Sequence, residues 1–396
     1  MAEALKMKVD TLTENGTESY DLPDARDGLT PRQRRILWAM RKRKLSSRAE
    51  YEMTARTLYD AGGHVGTTSD HWEFGEADVI NDTIAQMTQH FNTVALIEAG
   101  RGNFGQTGGS PASPRFTGIR INPFAEDTML KHISKKMVAF KEDPSIACGK
   151  VPMVLPACIP GSIVLGTDVI ADGFCSRIPP HNLGEVIDAM IAMINDPDLA
   201  PEHIMDYIKG PDFITGGMIV NKSELPQIYH KGRGQIRVRC KSSLIRPFGK
   251  ERPILAISEV PFTMDRDIDA FTTLVDDLVR DRELPGVVGV YSKGWFPEVE
   301  FWIELKTDAD ISKVLDLLYL KTRLEDAIDY QAILLSDNEP ARMSLYNILS
   351  EHLAFYRDFL QKKNGAVPTN EEMCQELLAI KKKYAKPRRT EIIDLV

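Results

Sequence analysis

The stretch from Leu22 to Lys44 constrains the fold more than any other part of the chain, because it places an apolar stripe and a row of cations on one short segment. Pro31 sits where a helix can start, since its fixed φ suits a first helical position. Behind it, Ile36, Leu37, Trp38 and Met40 supply a face to pack. Arg32, Arg34, Arg35, Arg41, Lys42, Arg43 and Lys44, with Arg26 just upstream, surround that face. A helix of this kind buries one side and projects its arginines from the other. That geometry suits a helix laid along nucleic-acid phosphates; an ordinary solvated charged face is the alternative.

The whole molecule is not a polycation. Its formal charge is -8, so contact with nucleic acid must come from local basic surfaces rather than from the net field. A second such surface is visible in Lys231, Arg233, Arg237, Arg239, Lys241, Arg246, Lys250 and Arg252. With 396 residues the chain is long enough for two or three domains, and 43% apolar with 27% charged residues mark a soluble globular protein. No apolar run reaches the roughly 18 residues of a membrane helix, and the start Met1-Ala2-Glu3-Ala4-Leu5-Lys6 lacks an apolar signal region. No membrane role and a cytoplasmic site of action are expected, on the nucleoid of a cell or as a virus or mobile-element protein in its host. Cys148, Cys158, Cys175, Cys240 and Cys374 are scattered and odd in number, so buried reduced thiols are expected rather than a zinc site or a disulfide framework.

Residues 1–21 are polar and weakly patterned, an arm crossing to a partner or a frayed end. Helical patterns dominate from Asp27 to about Phe124, including Asp78–His90. Val151, Val154, Leu155, Ile159, Ile163, Val164 and Leu165 lie among prolines and glycines and read as short strands and turns, followed by a helix from Leu183 to Asn195. Strands are expected over Ile236–Leu244, Pro253–Val260 and Val299–Leu305, and helices over Asp267–Arg282 and Ile311–Leu318. Ser344–Lys363 and Glu371–Tyr384 read as two helices joined by Asn364–Asn370. The fold class is α+β.

Several motifs carry more specific information. Leu22-Pro23-Asp24-Ala25-Arg26-Asp27-Gly28-Leu29-Thr30-Pro31 continues through Arg32-Gln33-Arg34-Arg35-Ile36-Leu37-Trp38-Ala39-Met40, and resembles the LPDxRDGLKPVxRRxLYAM signature of type IIA DNA topoisomerase A subunits. Gly100-Arg101-Gly102-Asn103-Phe104-Gly105 resembles their GQGNFG, and Ile178-Pro179-Pro180-His181-Asn182-Leu183 their IPPHNL. Gly210-Pro211-Asp212-Phe213-Ile214-Thr215-Gly216-Gly217 and Gly232-Arg233-Gly234 follow in the same order. The resemblance runs from about residue 20 to 340, to the breakage-reunion half of gyrase A and topoisomerase IV A, with Ala112-Ser113-Pro114-Arg115 nearer the eukaryotic wording.

This resemblance implies an arrangement. Residues 22–145 would form a winged-helix DNA-gate domain, 146–340 an α/β tower domain, and 341–396 a short helical hairpin replacing the coiled coil and its exit gate, with the DNA-wrapping propeller also lacking. The segment Arg115-Phe116-Thr117 aligns with the family's Arg-Tyr-Thr, whose tyrosine attacks a DNA phosphodiester. Phe116 has no oxygen with which to do so. Arg115 would neutralise the scissile phosphate, with Arg26 and Arg35 contacting it or its neighbours; the alternative for each is plain phosphate positioning or a surface salt bridge. Arg32, Arg34, Lys42 and Arg233 are further expected DNA contacts. Ile170 aligns with the isoleucine that the family wedges between base pairs, although an isoleucine among valines and alanines is ordinarily core. The family holds Mg2+ in a toprim domain and ATP in an ATPase domain. Neither is found here and no metal ligands are expected in this chain, so both cofactors imply a partner B subunit, in an A2B2 complex with a homodimer of A subunits on double-stranded DNA.

The chain also departs from the pattern. The segment aligned with the family's YHPHG reads His71-Trp72-Glu73-Phe74-Gly75, with aromatic residues at both histidine positions; His71 or His64 would have to substitute, unless each is simply a solvated loop histidine. Ala99 replaces an aspartate, and Gly118 a glutamate or another larger residue. Two accounts of Phe116 stay open: a phenylalanine put in place of a natural tyrosine, or a naturally diverged protein that bends or bridges DNA without cutting it.

Overall fold

The computed structural model describes residues 21–62, 74–90, 94–105, 111–134, 137–143, 149–171, 173–246, 252–264, 268–294 and 299–394. Residues 1–20, His64 and His71 lie outside these, as does Cys148. The architecture is α+β. Helix α1 (Pro31–Lys42) begins at a capping box. Thr30 Oγ1 accepts from the Gln33 amide and the Gln33 side chain accepts from the Thr30 amide, at 3.2 and 3.0 Å, with Pro31 in the first helical position. Its inner face buries Ile36, Leu37, Ala39 and Met40. Strand β1 (Glu52–Met53), α2 (Thr54–Asp60), α3 (Phe74–Thr88), β2 (Ile97–Arg101) and β3 (Gly118–Ile121) complete this region, as three helices on an antiparallel sheet of order β1-β3-β2.

A hairpin of β4 (Phe140–Glu142) and β5 (Lys150–Pro152) follows. The expected strands and turns after Val151 contain one helical turn, Gly161–Val164. Gly161 lies against the Asp27–Gly28 turn so closely that a Cβ on Gly28 would stand 1.8 Å from the Ser162 amide nitrogen, and Gly28 itself has φ +72°. Side chains at either position would push the two segments apart. Next come the hairpin β6 (Thr167–Ala171) and β7 (Phe174–Ile178), α4 (Leu183–Asn195), β8 (Met218–Ile219), α5 (Leu225–Lys231) and β9 (Arg233–Arg239).

The strand expected over Ile236–Leu244 is two strands in two different sheets. It breaks at Cys240, whose amide donates to Leu324 O, and β10 (Lys241–Ile245) then leaves to pair with β11 (Ile254–Glu259) across a bulge at Lys241/Ser242. That second sheet has the order β10-β11-β13-β12, with β12 (Val287–Lys293) and β13 (Glu300–Leu305). Helices α6 (Ile268–Arg280) and α7 (Ile311–Lys321) belong with it, and Leu255, Ile257, Phe301, Ile303, Val314 and Leu318 form its own core.

The chain returns through β14 (Glu325–Gln331), the hairpin β15 (Ile333–Ser336) and β16 (Glu339–Arg342), then α8 (Leu345–Asn364), α9 (Asn370–Tyr384) and β17 (Glu391–Ile392). The six-stranded sheet runs β17-β8-β9-β14-β7-β6; only β17 and β8 are parallel. A turn of five residues joins α8 to α9. Gly365 closes α8 at φ +73° and Thr369 opens α9 with a capping box to Glu372. Both helices pack inward: Leu349, Tyr356, Phe359, Met373 and Leu377 share one core with α1 and α4. Lys381 adds an ion pair to Asp188 of α4 at 2.6 Å. Among the described residues, no helix is long and apolar enough to cross a membrane.

Candidate nucleic-acid interface

The Leu22–Leu29 turn is held by its carboxylates. Asp27 is fully buried and accepts four hydrogen bonds: Arg34 Nε at 2.8 Å, Arg34 Nη2 at 2.9 Å, the Leu29 amide at 3.0 Å and the Leu155 amide at 2.8 Å. Arg34 Nη2 also donates to Leu29 O at 3.0 Å. Burial alone would lower the Arg34 pKa, but the Asp27 charge and hydrogen bonds outweigh it and raise it. Arg34 therefore points into the protein. Its expected place among the phosphate contacts is corrected: the helix period puts it beside the Asp27 carboxylate, not on the outer face.

The remaining cations of this segment are partly engaged. Arg26 donates through Nε and Nη2 to Asp24, at 2.9 and 2.7 Å, which raises its pKa. Its carbonyl accepts from the buried His352 at 2.7 Å. Arg32 pairs with Asp21 at 2.7 Å, and Arg41 stands 3.9 Å from Glu126. Arg43 is spent on Glu52 and Asp60, at 2.6 and 2.9 Å. Arg35 is half-buried on the same helix, while Lys42 is exposed with Nζ 5.4 Å from the centre of the Trp38 ring. The Trp38 indole donates to Lys150 O at 2.9 Å, anchoring the end of α1 to the β4–β5 hairpin.

Phe116 sits on the turn that leads into β3. Its amide donates to Ser113 O at 2.9 Å, and the Thr117 hydroxyl meets Thr54 Oγ1 at 2.8 Å. The Ala55 amide donates to Pro114 O at 3.1 Å, so the turn is fastened to the first residues of α2. These bonds hold the backbone and turn the ring outward: Phe116 is 67% exposed, a position an aromatic ring takes against the hydrophobic effect. The exposed Arg115 guanidinium lies 6.0 Å from its centroid. Arg120, three residues on from Thr117, is paired with Glu98 at 2.7 Å and stacked on Tyr51 at 4.3 Å. Its hydrogen bonds hold the Glu98 carboxyl below its ordinary range.

A second exposed apolar group stands on the β6–β7 hairpin. Ile170 pairs with Cys175 and is 76% exposed, so the ordinary core alternative does not hold. Behind it, β14 aligns Gln331 with Arg177 on one side and with exposed Arg233 on the other, placing the three side chains on one face of the sheet. Arg177 is not visible as a candidate in the sequence, because one arginine in a strand has no pattern; only the cross-strand register reveals it. It pairs with Asp168 at 3.0 Å.

The other motifs are internal fastenings. His181 is buried between Tyr229 OH, at 2.7 Å, and Ile163 O, and burial pushes its pKa down to about 4. Asn182 caps α4 and donates to Asp212 at 2.9 Å. Asp212 in turn accepts from the Arg389 and Thr390 amides, while Arg388 pairs with Glu185 at 2.8 Å. The segment Arg388–Ile392 thereby closes the edge of the six-stranded sheet. Cys158, Cys175, Cys240 and Cys374 are free thiols; burial raises Cys158 and Cys240 to about 12, whereas Cys175 and Cys374 are only half-buried, so the expectation of burial is corrected for these two. Among the described residues no group of three or more His, Cys, Asp or Glu side chains is placed to hold a metal ion.

Comparison with known proteins sets this geometry in a family. Residues 21–394 match the family of the DNA gyrase/topoisomerase IV A subunit. The chain belongs to that family. It is 34% identical to the DNA gyrase A subunit of Clostridium acetobutylicum over 347 residues, 87% of this chain and 40% of the relative. It is 35% identical to the DNA topoisomerase 4 A subunit of Synechocystis sp. over 348 residues, 86% and 37% of the two chains. The chloroplastic/mitochondrial DNA gyrase A subunit of Arabidopsis thaliana is 32% identical over 348 residues, 86% and 35%. The chain thus spans about two fifths of the length of these curated relatives. Within the family's matched region, the Phe116 turn and the Ile170 hairpin each carry an exposed apolar side chain.

Proposed function

We propose that this chain is the DNA-binding, breakage-reunion region of a type IIA topoisomerase A subunit, which seats and bends a gate duplex but does not form a phosphotyrosine through position 116. The observation that carries the reading is the exposed Phe116 ring beside the exposed Arg115, on the turn aligned with the family's nucleophile. In this reading α1, α2, α3 and the β1–β3 sheet are the winged-helix gate domain of residues 22–145. Residues 146–340 are the tower, with Ile170 as the intercalating wedge, and 341–396 are a helical hairpin in place of a coiled coil. Arg115, Arg26 and Arg35 serve the phosphates at position 116, with Arg32, Lys42 and Arg233 along the duplex; His71 would serve as the site's histidine. Double-stranded DNA and a B subunit bearing toprim and ATPase domains are the partners, in an A2B2 complex of the cytoplasm, and Mg2+ and ATP are supplied by that B subunit.

Most apolar side chains of α8 and α9 pack inside their own chain, which supports a contact between A subunits in the gate region. Phe116 favours a second reading, a topoisomerase-like DNA-bending or crossover-binding protein that never cuts. One experiment separates them. The chain, its B subunit, Mg2+ and supercoiled plasmid should yield no covalent adduct, and Phe116→Tyr should yield one if the site is otherwise a cleavage site. Binding and bending that persist with no adduct from Phe116→Tyr support the second reading. Adducts from the unsubstituted chain would remove position 116 from the chemistry.

A further inference from the structure

The turn bearing Phe116 carries Arg115 beside the ring, and the paired strand brings a second cation, Arg101, against Gly118, two residues further on. Strands β2 and β3 pair Ala99 with Ile119 and Arg101 with Gly118, so Gly100 is an extra residue and the ladder bulges there. A bulge re-aims the side chains next to it. The Tyr51 ring occupies the space beside Gly100, where a Cβ would stand 2.2 Å from a ring carbon. Gly102, with φ +90°, presses on the Phe116–Thr117 peptide so closely that a Cβ would lie 2.7 Å from Phe116 O. Arg101 is thereby held between two glycines and laid across Gly118: its Cγ and Nε lie 3.2 and 3.4 Å from the point where a Gly118 Cβ would be. The missing side chain of Gly118 is the room that Arg101 uses.

The surrounding carboxylates are committed elsewhere. Glu52 is held by Arg43 and Arg56, and Glu98 by Arg120 and the Tyr51 hydroxyl. Arg101 is exposed and makes no ion pair among the described residues. An unpaired guanidinium fixed at its base and next to an outward-facing functional position is suited to an anionic oxygen, which it meets with planar paired donors. We propose that Arg101 is a second phosphate-contacting residue of the gate-DNA site, acting with Arg115 on the backbone phosphates presented to position 116. This rests on the reading that duplex DNA lies over Phe116.

The test uses the full chain and a fluorescent B-form duplex, with binding followed across a salt series for the parent, Arg101→Gln, Arg101→Lys and Arg115→Gln. Each lost phosphate contact should reduce the magnitude of the slope of log affinity against log salt by about one unit. Arg101→Gln and Arg115→Gln should each show that drop, Arg101→Lys should keep most of the slope, and all should melt with the parent. An unchanged slope for Arg101→Gln with a reduced one for Arg115→Gln would overturn the assignment of Arg101 while leaving the DNA path over Phe116 intact. Unchanged slopes for both would overturn the assignment and the DNA path together, and failure of the parent to bind duplex would remove the functional reading itself.

Discussion

Arg34→Met exchanges a buried cation for an apolar side chain of similar reach and leaves Asp27 in place. Asp27 would keep the Leu29 and Leu155 amides but lose both guanidinium bonds, at 2.8 and 2.9 Å, in a site with no water access. Breaking one side of a buried, hydrogen-bonded pair destabilises by about 3–5 kcal/mol, because the surviving charge has no partner. Asp27→Asn should lose a comparable amount, since an amide oxygen can still accept from the backbone while the guanidinium is stranded. In the double variant neither charge remains, so its loss should be close to that of one single variant and not to their sum, a coupling of at least about 2 kcal/mol. Urea unfolding followed by circular dichroism measures all four corners of the cycle. DNA binding by folded Arg34→Met should retain the parent's salt slope, because Arg34 faces inward. Unfolding free energies within about 1 kcal/mol of the parent, or a salt slope lowered by about one unit, would refute the assignment of Arg34 to the core.

Three further outcomes follow from the geometry. Ile170→Ala should reduce DNA bending, read by energy transfer between end labels, and leave the salt slope nearly intact; unchanged transfer would return the hairpin tip to an ordinary surface. Burial pushes His352, like His181, down to about 4, so between that pH and about 6.5 the unfolded chain holds the extra proton and stability falls as pH drops, by about 1.4 kcal/mol per unit for each. His352→Gln should flatten that slope in unfolding measured from pH 7 to 4.5, and a slope equal to the parent's would count against a neutral buried imidazole. Sedimentation across concentrations should find dimers of the chain that are weak alone and strengthened by DNA. A tight dimer at nanomolar protein that is lost on deleting residues 344–396 would show that the helical hairpin is itself a dimer contact.

The short-range features are legible in the chain itself. The helices from Pro31, over Leu183–Asn195 and on both sides of the Asn364–Asn370 turn lie where caps and apolar spacing place them, because those signals act within a turn or two of the chain. The motif-bearing segments also identify the family, with residues 21–394 matching it. What the residues could not disclose is which cations face outward. Arg34 and Arg35 are adjacent letters in one basic run, yet Arg34 meets a carboxylate that a turn locked against Gly161 has buried. The break at Cys240 is equally hidden, since a strand of alternating residues does not say which sheet receives each half.

The sequence by itself determined the fold class, the principal helices and the oxygen missing at position 116, because each is written in local spacing or in the identity of one side chain. Only the tertiary structure decided that Ile170 stands in solvent, that Arg177 lines up with Gln331 and Arg233, and that Arg101 takes the space left by Gly118. Exposure and cross-strand company are set by residues far away along the chain, and a charge acquires its role from whatever the fold brings within reach of it.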